Sequence, residues 1–346
     1  MRSHWQLLRR DPRTYTGVLA QALRTGEPRP KTRLWQVFYF AEAVVLHDLM
    51  SHRQLRHVHA HFANNGADVA RLTALIGQRL DGPRAGWKWT FTMHGPTEFE
   101  AVDRFDLPAK VRSADGVACI SDFCRSQLMR MVEPNHWDKL AMIRMSVDTD
   151  KFTPPPAVRD HPGDERMRVL YVGRLVPEKG SPVLLDAVAD LTRRGVPLQV
   201  KLVGSGELEP QLVEQVRRDG LTDVVELVGA VGQDDLPALY HWADVFVLPS
   251  FQEGLPVVLM EAMATQLPVV TTQIAAISEL VEDATSGRVL PPGRADLLAE
   301  ALAELAADPV TRQKMGEAGR ETVVSQFTSD RSATALIGFF EQSKID

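Results

Sequence analysis

The chain has 346 residues, enough for two domains that each bury a core, and its 44% hydrophobic and 24% charged content is that of a folded globular protein. No run of about 18 uncharged apolar residues occurs, so no membrane-spanning helix is expected, and Arg2, Arg9 and Arg10 with no apolar stretch behind them give no sign of a secretory signal. The net charge of −6 divides unevenly: residues 1–150 carry 21 Lys/Arg against 16 Asp/Glu, and the remainder carry 18 against 29.

In chain order, residues 1–33 read as helical and basic, with eight Lys/Arg against two Asp/Glu. An apolar-rich helix covers 34–46. Residues 57–61, 89–93 and 116–120 read as strands, with a helix over 123–131 and a last strand at 142–145. Thr153-Pro154-Pro155-Pro156 and the charged residues up to Arg166 read as a linker stiffened by polyproline geometry. Beyond it, strands at 167–172, 198–203, 224–228, 244–250 and 267–271 alternate with helices at 182–194, 207–218, 236–242 and 257–264. Helices at 295–307, 310–325 and 330–343 complete the chain. This alternation predicts an α/β fold with a parallel sheet and helices on both faces. The expected organisation is a first domain over 1–153, a linker over 154–166, a second domain over 167–326 and a closing C-terminal helix within 327–346. The first sheet is expected to lack the strand and glycine-rich turn with which such a domain normally opens.

Few features point to partners other than small molecules. No basic run is interleaved with aromatic residues, so nucleic acid is not expected. The basic first half is compatible with peripheral docking on an anionic membrane surface or with a phosphate-bearing acceptor. Cys119 and Cys124 fit no zinc spacing and read as reduced thiols of a cytoplasmic protein. Asp148-Thr149-Asp150 has the form of a metal motif but reads as a chance match, and no metal or bound cofactor is expected.

The chemistry concentrates in loops after strands. Phe251-Gln252-Glu253-Gly254-Leu255-Pro256 leads into the helix Val257-Val258-Leu259-Met260-Glu261, with the two glutamates eight positions apart. That step spans about 12 Å along a helix, the reach needed to hold both ends of a nucleotide-sugar with its diphosphate at the helix N-terminus. Solvated surface glutamates are the plain alternative. Gly173-Arg174-Leu175-Val176-Pro177-Glu178-Lys179-Gly180 places two cations in the loop after the first strand of the second domain. Arg174 can grip phosphate oxygens in a two-pronged contact and Lys179 can add a point charge. Gly204-Ser205-Gly206 permits close backbone approach, whether for a ligand or only for a turn. Gly229-Ala230-Val231 follows the next strand. In the first domain His94-Gly95 follows a strand, and a histidine there can bond a sugar hydroxyl. His59 and His61 lie at another strand end and favour a structural role. Ser121-Asp122, at a third strand end, is left open.

The Glu253–Glu261 pattern resembles the E-x7-E motif of retaining glycosyltransferases with the GT-B fold, in particular family 4, and Gly173 to Gly180 matches that family's G-R-x4-K-G motif. His59-Ala60-His61-Phe62 and His94-Gly95-Pro96 resemble its bacterial exopolysaccharide branch, of the colanic-acid type. The resemblance implies two Rossmann-like domains facing each other across a cleft. It implies transfer of a sugar from a nucleotide-sugar to a saccharide or lipid-linked acceptor, in exopolysaccharide or cell-envelope glycan synthesis, with Glu253, His94, Arg174 and Lys179 as the catalytic set. Donor contacts would come from Arg174, Lys179, Gly204, Gly206, Val231, Glu253, Gly254, Leu255 and Glu261. Glu253 would hold the sugar hydroxyls, Glu261 the ribose, and the two cations the diphosphate. Alanine at 179 is then expected to abolish transfer and leave the fold intact. A non-catalytic nucleotide-sugar-binding subunit and a GT-B sugar-nucleotide epimerase are the alternatives.

Overall fold

A computed structural model describes residues 2–156 and 165–342, so the middle of the expected linker and the last four residues lie outside the described residues. The chain divides into two compact units, one made of residues 1–143 with 334–346 and the other of residues 144–333. Each is built on a parallel sheet.

The first unit opens with three helices, α1 (Arg2–Arg10), α2 (Pro12–Ala22) and α3 (Pro30–His52). Asp11 caps α2, its carboxylate accepting the N–H groups of Arg13 and Thr14 at 3.0 Å each, and Pro12 starts that helix where a missing N–H costs nothing. α3 is apolar on two opposite sides: Phe40, Ala43, Val44 and Met50 are buried, whereas Leu34, Phe38, Val45 and Leu49 are exposed. Of these, Phe40, Ala43 and Val44 pack with Leu7, Val18 and Ala22 and with Leu72 and Ile76 of α4 (Asn65–Asp81) in one apolar cluster. The strands β1 (His57–His61), β2 (Lys88–Met93), β3 (Gly116–Cys119) and β4 (Leu140–Met142) run parallel and lie side by side in that order. Between them run α5 (Thr97–Glu100), α6 (Val102–Phe105), α7 (Leu107–Ser113) and α8 (Asp122–Met129). Cys119 and Cys124 are free and buried.

The second unit carries β5 (Met167–Val172), α9 (Ser181–Arg193), β6 (Leu198–Val203), α10 (Glu209–Arg218), β7 (Val225–Gly229), α11 (Leu236–Trp242) and β8 (Val245–Leu248). It continues with α12 (Val257–Ala264), β9 (Val269–Thr272), β10 (Gly287–Leu290), α13 (Ala295–Ala307) and α14 (Pro309–Gln326). The sheet order is β10-β9-β8-β5-β6-β7. From β5 the chain builds outward through β6 and β7, then returns to lay β8 on the other side of β5. The order reverses at that step, which is where open parallel sheets bind ligands. The last helix, α15 (Ser329–Gln342), begins in the second unit and belongs to the first from Thr334 onward. There Phe339 packs so tightly on Gly116 that an added Cβ would stand 2.7 Å from its ring.

The local differences from expectation have simple causes. β4 lies at 140–142 rather than 142–145, because pairing with Val117 to Cys119 sets its register. β9 starts at Val269 rather than at 267, since Pro268 has no N–H for the ladder, although its carbonyl accepts from Phe246 at 3.0 Å. α4, α5 to α7 and the edge strand β10 lie outside the elements read from sequence. Among the described residues no helix is long and apolar enough to cross a membrane.

Candidate functional site

β8, β5 and β6 are neighbours in the second sheet, so the loops leaving their C-terminal ends meet. Backbone contacts join them. The Glu178 carbonyl, before α9, accepts the N–H of Phe251 at 2.8 Å and of Gln252 at 3.3 Å, both after β8. Gly180 has φ +66 and stands so close to the β8 loop that a Cβ would lie 2.0 Å from the Pro249 oxygen. On the other flank the Leu175 N–H donates to Ser205 at 2.9 Å, and the Leu175 carbonyl accepts from Leu208 at 2.9 Å. A Cβ on Gly204 (φ +139) would sit 1.9 Å from the Gly173 oxygen, and one on Gly206 would sit 2.3 Å from the Leu175 oxygen. The geometry therefore gives both of these glycines a structural reason: only a residue without a side chain allows the loops to approach this closely.

Lys179 and Glu253 meet within this frame. The Lys179 Nζ lies 2.6 Å from Glu253 Oε1, and the Ser250 hydroxyl donates to the same oxygen at 2.7 Å. Glu253 is buried, with 6% of its surface exposed, and Lys179 is partly exposed. Behind them the buried Tyr171 hydroxyl donates to the Arg174 carbonyl at 3.0 Å, and burial, aided by the Glu253 charge, pushes its pKa up. The Arg174 side chain is exposed and has no ion-pair partner among the described residues. Gly254 and the buried Leu255 lead to Pro256, which occupies the N-cap of α12, one position before its first turn.

Glu261 lies on α12 and is 3% exposed, its Oε2 accepting from the Tyr240 hydroxyl of α11 at 2.7 Å. Burial raises the Glu261 carboxyl above its ordinary value, against the lowering effect of this bond and of Lys151. Tyr240 is raised as well, by burial first and then by the Glu261 charge. Glu253 thus sits in a loop and Glu261 in a helix, and each is tied to a partner from another element. Val231, beyond β7 at the edge of the sheet, joins no hydrogen bond of this group among the described residues. The sequence reading did not single out Ser250 or Tyr240. Ser250 carries a weak signal, three positions before a glutamate as in a capping box. Tyr240 carries none, because its bond to Glu261 spans 21 residues.

His94 belongs to the first unit, at the C-terminal end of β2. Its Nε2 lies 3.0 Å from Nδ1 of His61. Burial, then the neighbouring His61, lowers its pKa to about 4, so the ring is uncharged near neutral pH. His59 is clamped by Thr90 at 2.8 Å and Thr92 at 3.0 Å, which fits a structural role. The Ser121 hydroxyl caps α8 by accepting from the Cys124 N–H at 3.0 Å. Asp148 closes its own turn, its Oδ1 accepting the N–H groups of Asp150 and Lys151 at 3.0 Å each. Among the described residues no group of three or more His, Cys, Asp or Glu is arranged to hold a metal ion.

Residues 158–322 match the family described as glycosyl transferases group 1. The chain is 30% identical over 322 residues to the alpha-D-kanosaminyltransferase of Streptomyces kanamyceticus, covering 88% of this chain and 83% of that one. It is 37% identical over 198 residues to the putative colanic acid biosynthesis glycosyltransferase WcaL of Escherichia coli K12, covering 56% of this chain and 48% of that one, so it spans about half the length of this second relative. Its fold is similar to that of sucrose-phosphate synthase from Thermosynechococcus elongatus, with TM-score 0.72 and 24% identity over 87% of this chain and 76% of that one. It is also similar to HepE of Anabaena, solved in complex with UDP-glucose, with TM-score 0.68 and 20% identity over 86% and 81%.

Proposed function

This chain belongs to the glycosyl transferases group 1 family, whose members share the GT-B fold, and from that premise we propose that it is a retaining, family 4 enzyme that moves a sugar from a nucleotide-sugar to a saccharide or lipid-linked acceptor. The relative named for colanic acid biosynthesis supports a role in exopolysaccharide or cell-envelope glycan synthesis.

The observation that carries this reading is the pairing of Lys179 with Glu253 where the strand order reverses. A buried carboxylate and an ammonium shared between two loops form a centre that can exchange partners. Diphosphate oxygens draw the Lys179 ammonium, and sugar hydroxyls donate to the Glu253 carboxylate. Arg174, exposed in the same loop, adds a second cation. The first turns of α9 and α12 carry no side-chain cap, so their N–H groups and helix dipoles favour an anion there. Glu261 holds the ribose. The acceptor hydroxyl attacks the face from which the diphosphate departs, and a phosphate oxygen takes its proton. The protein supplies position and charge stabilisation, which decide the rate when the leaving group carries most of the developing charge. In the first unit, His94 bonds a sugar hydroxyl.

We also propose peripheral membrane docking through the first unit. The exposed Leu34, Phe38, Val45 and Leu49 of α3 and the basic residues of the first three helices support it. The transferase reading is tested by incubating the chain with UDP-, GDP- and dTDP-sugars and following nucleoside diphosphate release. Release from at least one donor is expected. Tight binding without release, or an isomerised nucleotide-sugar, would replace the transferase with a binding subunit or an epimerase.

A further inference from the structure

We propose that Phe62, held at the end of β1 beside the His61–His94 pair, is a stacking platform for a saccharide ring in the first unit. The backbone of Phe62 lies in the left-handed region at φ +68, where bulky side chains are outliers, and the residue is 43% exposed. An aromatic residue that is both strained and turned to solvent needs a reason, because strain persists only where the surroundings over-determine it.

The surroundings do so here. The Phe62 N–H donates to the Thr92 carbonyl at 2.9 Å, and the next N–H, that of Ala63, donates to Glu98 Oε1 at 3.1 Å. From the other side the Lys110 ammonium donates to the carbonyls of Ala63 at 2.8 Å and Asn64 at 3.1 Å. Glu98 is 3% exposed and Lys110 is fully buried. Two buried ionic side chains thus grip a segment of two residues and hold the preceding aromatic in its strained conformation.

The ring so placed lies 4.5 Å from the His94 ring, tilted by 40°. Nε2 of His94 and Nδ1 of His61 face each other, and among the described residues no hydrogen bond uses Nδ1 of His94 or Nε2 of His61, which are left for a ligand. In an uncharged pair, one ring nitrogen donates to the other. Of the two nitrogens left over, one then carries a proton and the other a lone pair. A pyranose matches this arrangement. Its C–H face lies against the electron-rich face of an aromatic ring, and its hydroxyls both donate and accept at the ring edge. The inference deepens the transferase reading, on which it rests only for the identity of the substrate that carries the sugar.

The test uses the full chain and the methyl α-pyranosides of glucose, mannose and galactose as probes. The ring resonances of His61 and His94 are followed by NMR in the wild type, Phe62→Gly and Phe62→Ala. At least one probe is expected to shift both histidines, with affinity falling roughly three- to tenfold in each variant. Phe62→Gly should melt no lower than the wild type, since glycine accepts the positive φ. Unshifted histidines with every probe, or unchanged affinity in both variants, overturns the proposal. Nucleoside diphosphate release is read separately, so shifted histidines without donor turnover would fault the transferase reading and leave this one standing.

Discussion

Glu253 is held by two donors, the Lys179 ammonium and the Ser250 hydroxyl, both on the same carboxylate oxygen. That arrangement changes what substitution at 179 does. Alanine removes a cation expected to meet the diphosphate, which should lower turnover by about 100- to 1000-fold. It also leaves a buried carboxylate with one hydroxyl donor, which the sequence-based expectation of an intact fold did not include. The side chain of Lys179 is 19% exposed, so the loss is smaller than for a fully buried pair, at about 1–3 kcal/mol. Lys179→Ala is therefore expected to melt several degrees lower as well as to turn over slowly. Adding Glu253→Gln removes the stranded charge, and the double variant should regain most of the lost melting temperature while staying inactive. Wild-type turnover in the double variant would show that neither group serves the reaction.

At the scale of elements, the central loops of the second unit were legible and their partners were not. Glycine and proline punctuate 173–180 and 251–256, and short apolar strands precede both, so the loops could be placed from neighbouring residues alone. The pairing of Lys179 with Glu253 spans 74 residues, and only the strand order brings the two together. α3 was hard to read for the opposite reason. It is apolar on both sides, so no single stripe marks its core face, and its outer face shows only when burial is known. Leu34, Phe38, Val45 and Leu49 fall at near-integral turns along that outer face. Such a face on a basic unit is expected to pellet with phosphatidylglycerol vesicles and not with phosphatidylcholine vesicles, less so as salt rises. Replacing Phe38 and Val45 together by Glu should weaken that binding by about tenfold or more and leave the core packing alone. Equal pelleting of the variant and the wild type would remove the membrane proposal.

For the molecule as a whole, the buried histidines and the buried Glu261 respond to acid in opposite directions. Burial lowers His47, His59 and His94, all in the first unit, from 6.5 to about 4. The groups that act on them do not reverse this: Asp81 and Asp48 raise His47 while Arg10 and Arg56 lower it, and the other histidines of the cluster lower His59 and His94. Between those two pH values the unfolded chain binds protons that the folded unit does not. The stability these neutral rings contribute is therefore complete above pH 6.5 and is lost as the pH falls toward 4. In the second unit the raised Glu261 carboxyl works the other way, since its folded form takes up a proton before the unfolded chain does. Its contribution grows as the pH falls through its raised value. Five of the six tryptophans, Trp5, Trp35, Trp87, Trp89 and Trp137, lie in the first unit, so tryptophan fluorescence reports mainly on it. The fluorescence melting temperature is expected to fall steadily from pH 6.5 to pH 4.5, with up to three protons taken up on unfolding. His47→Phe, whose ring can keep the stack on Trp87, should make that fall shallower. A fluorescence melting temperature that stays flat across this range would mean that these three rings are not held neutral by the fold.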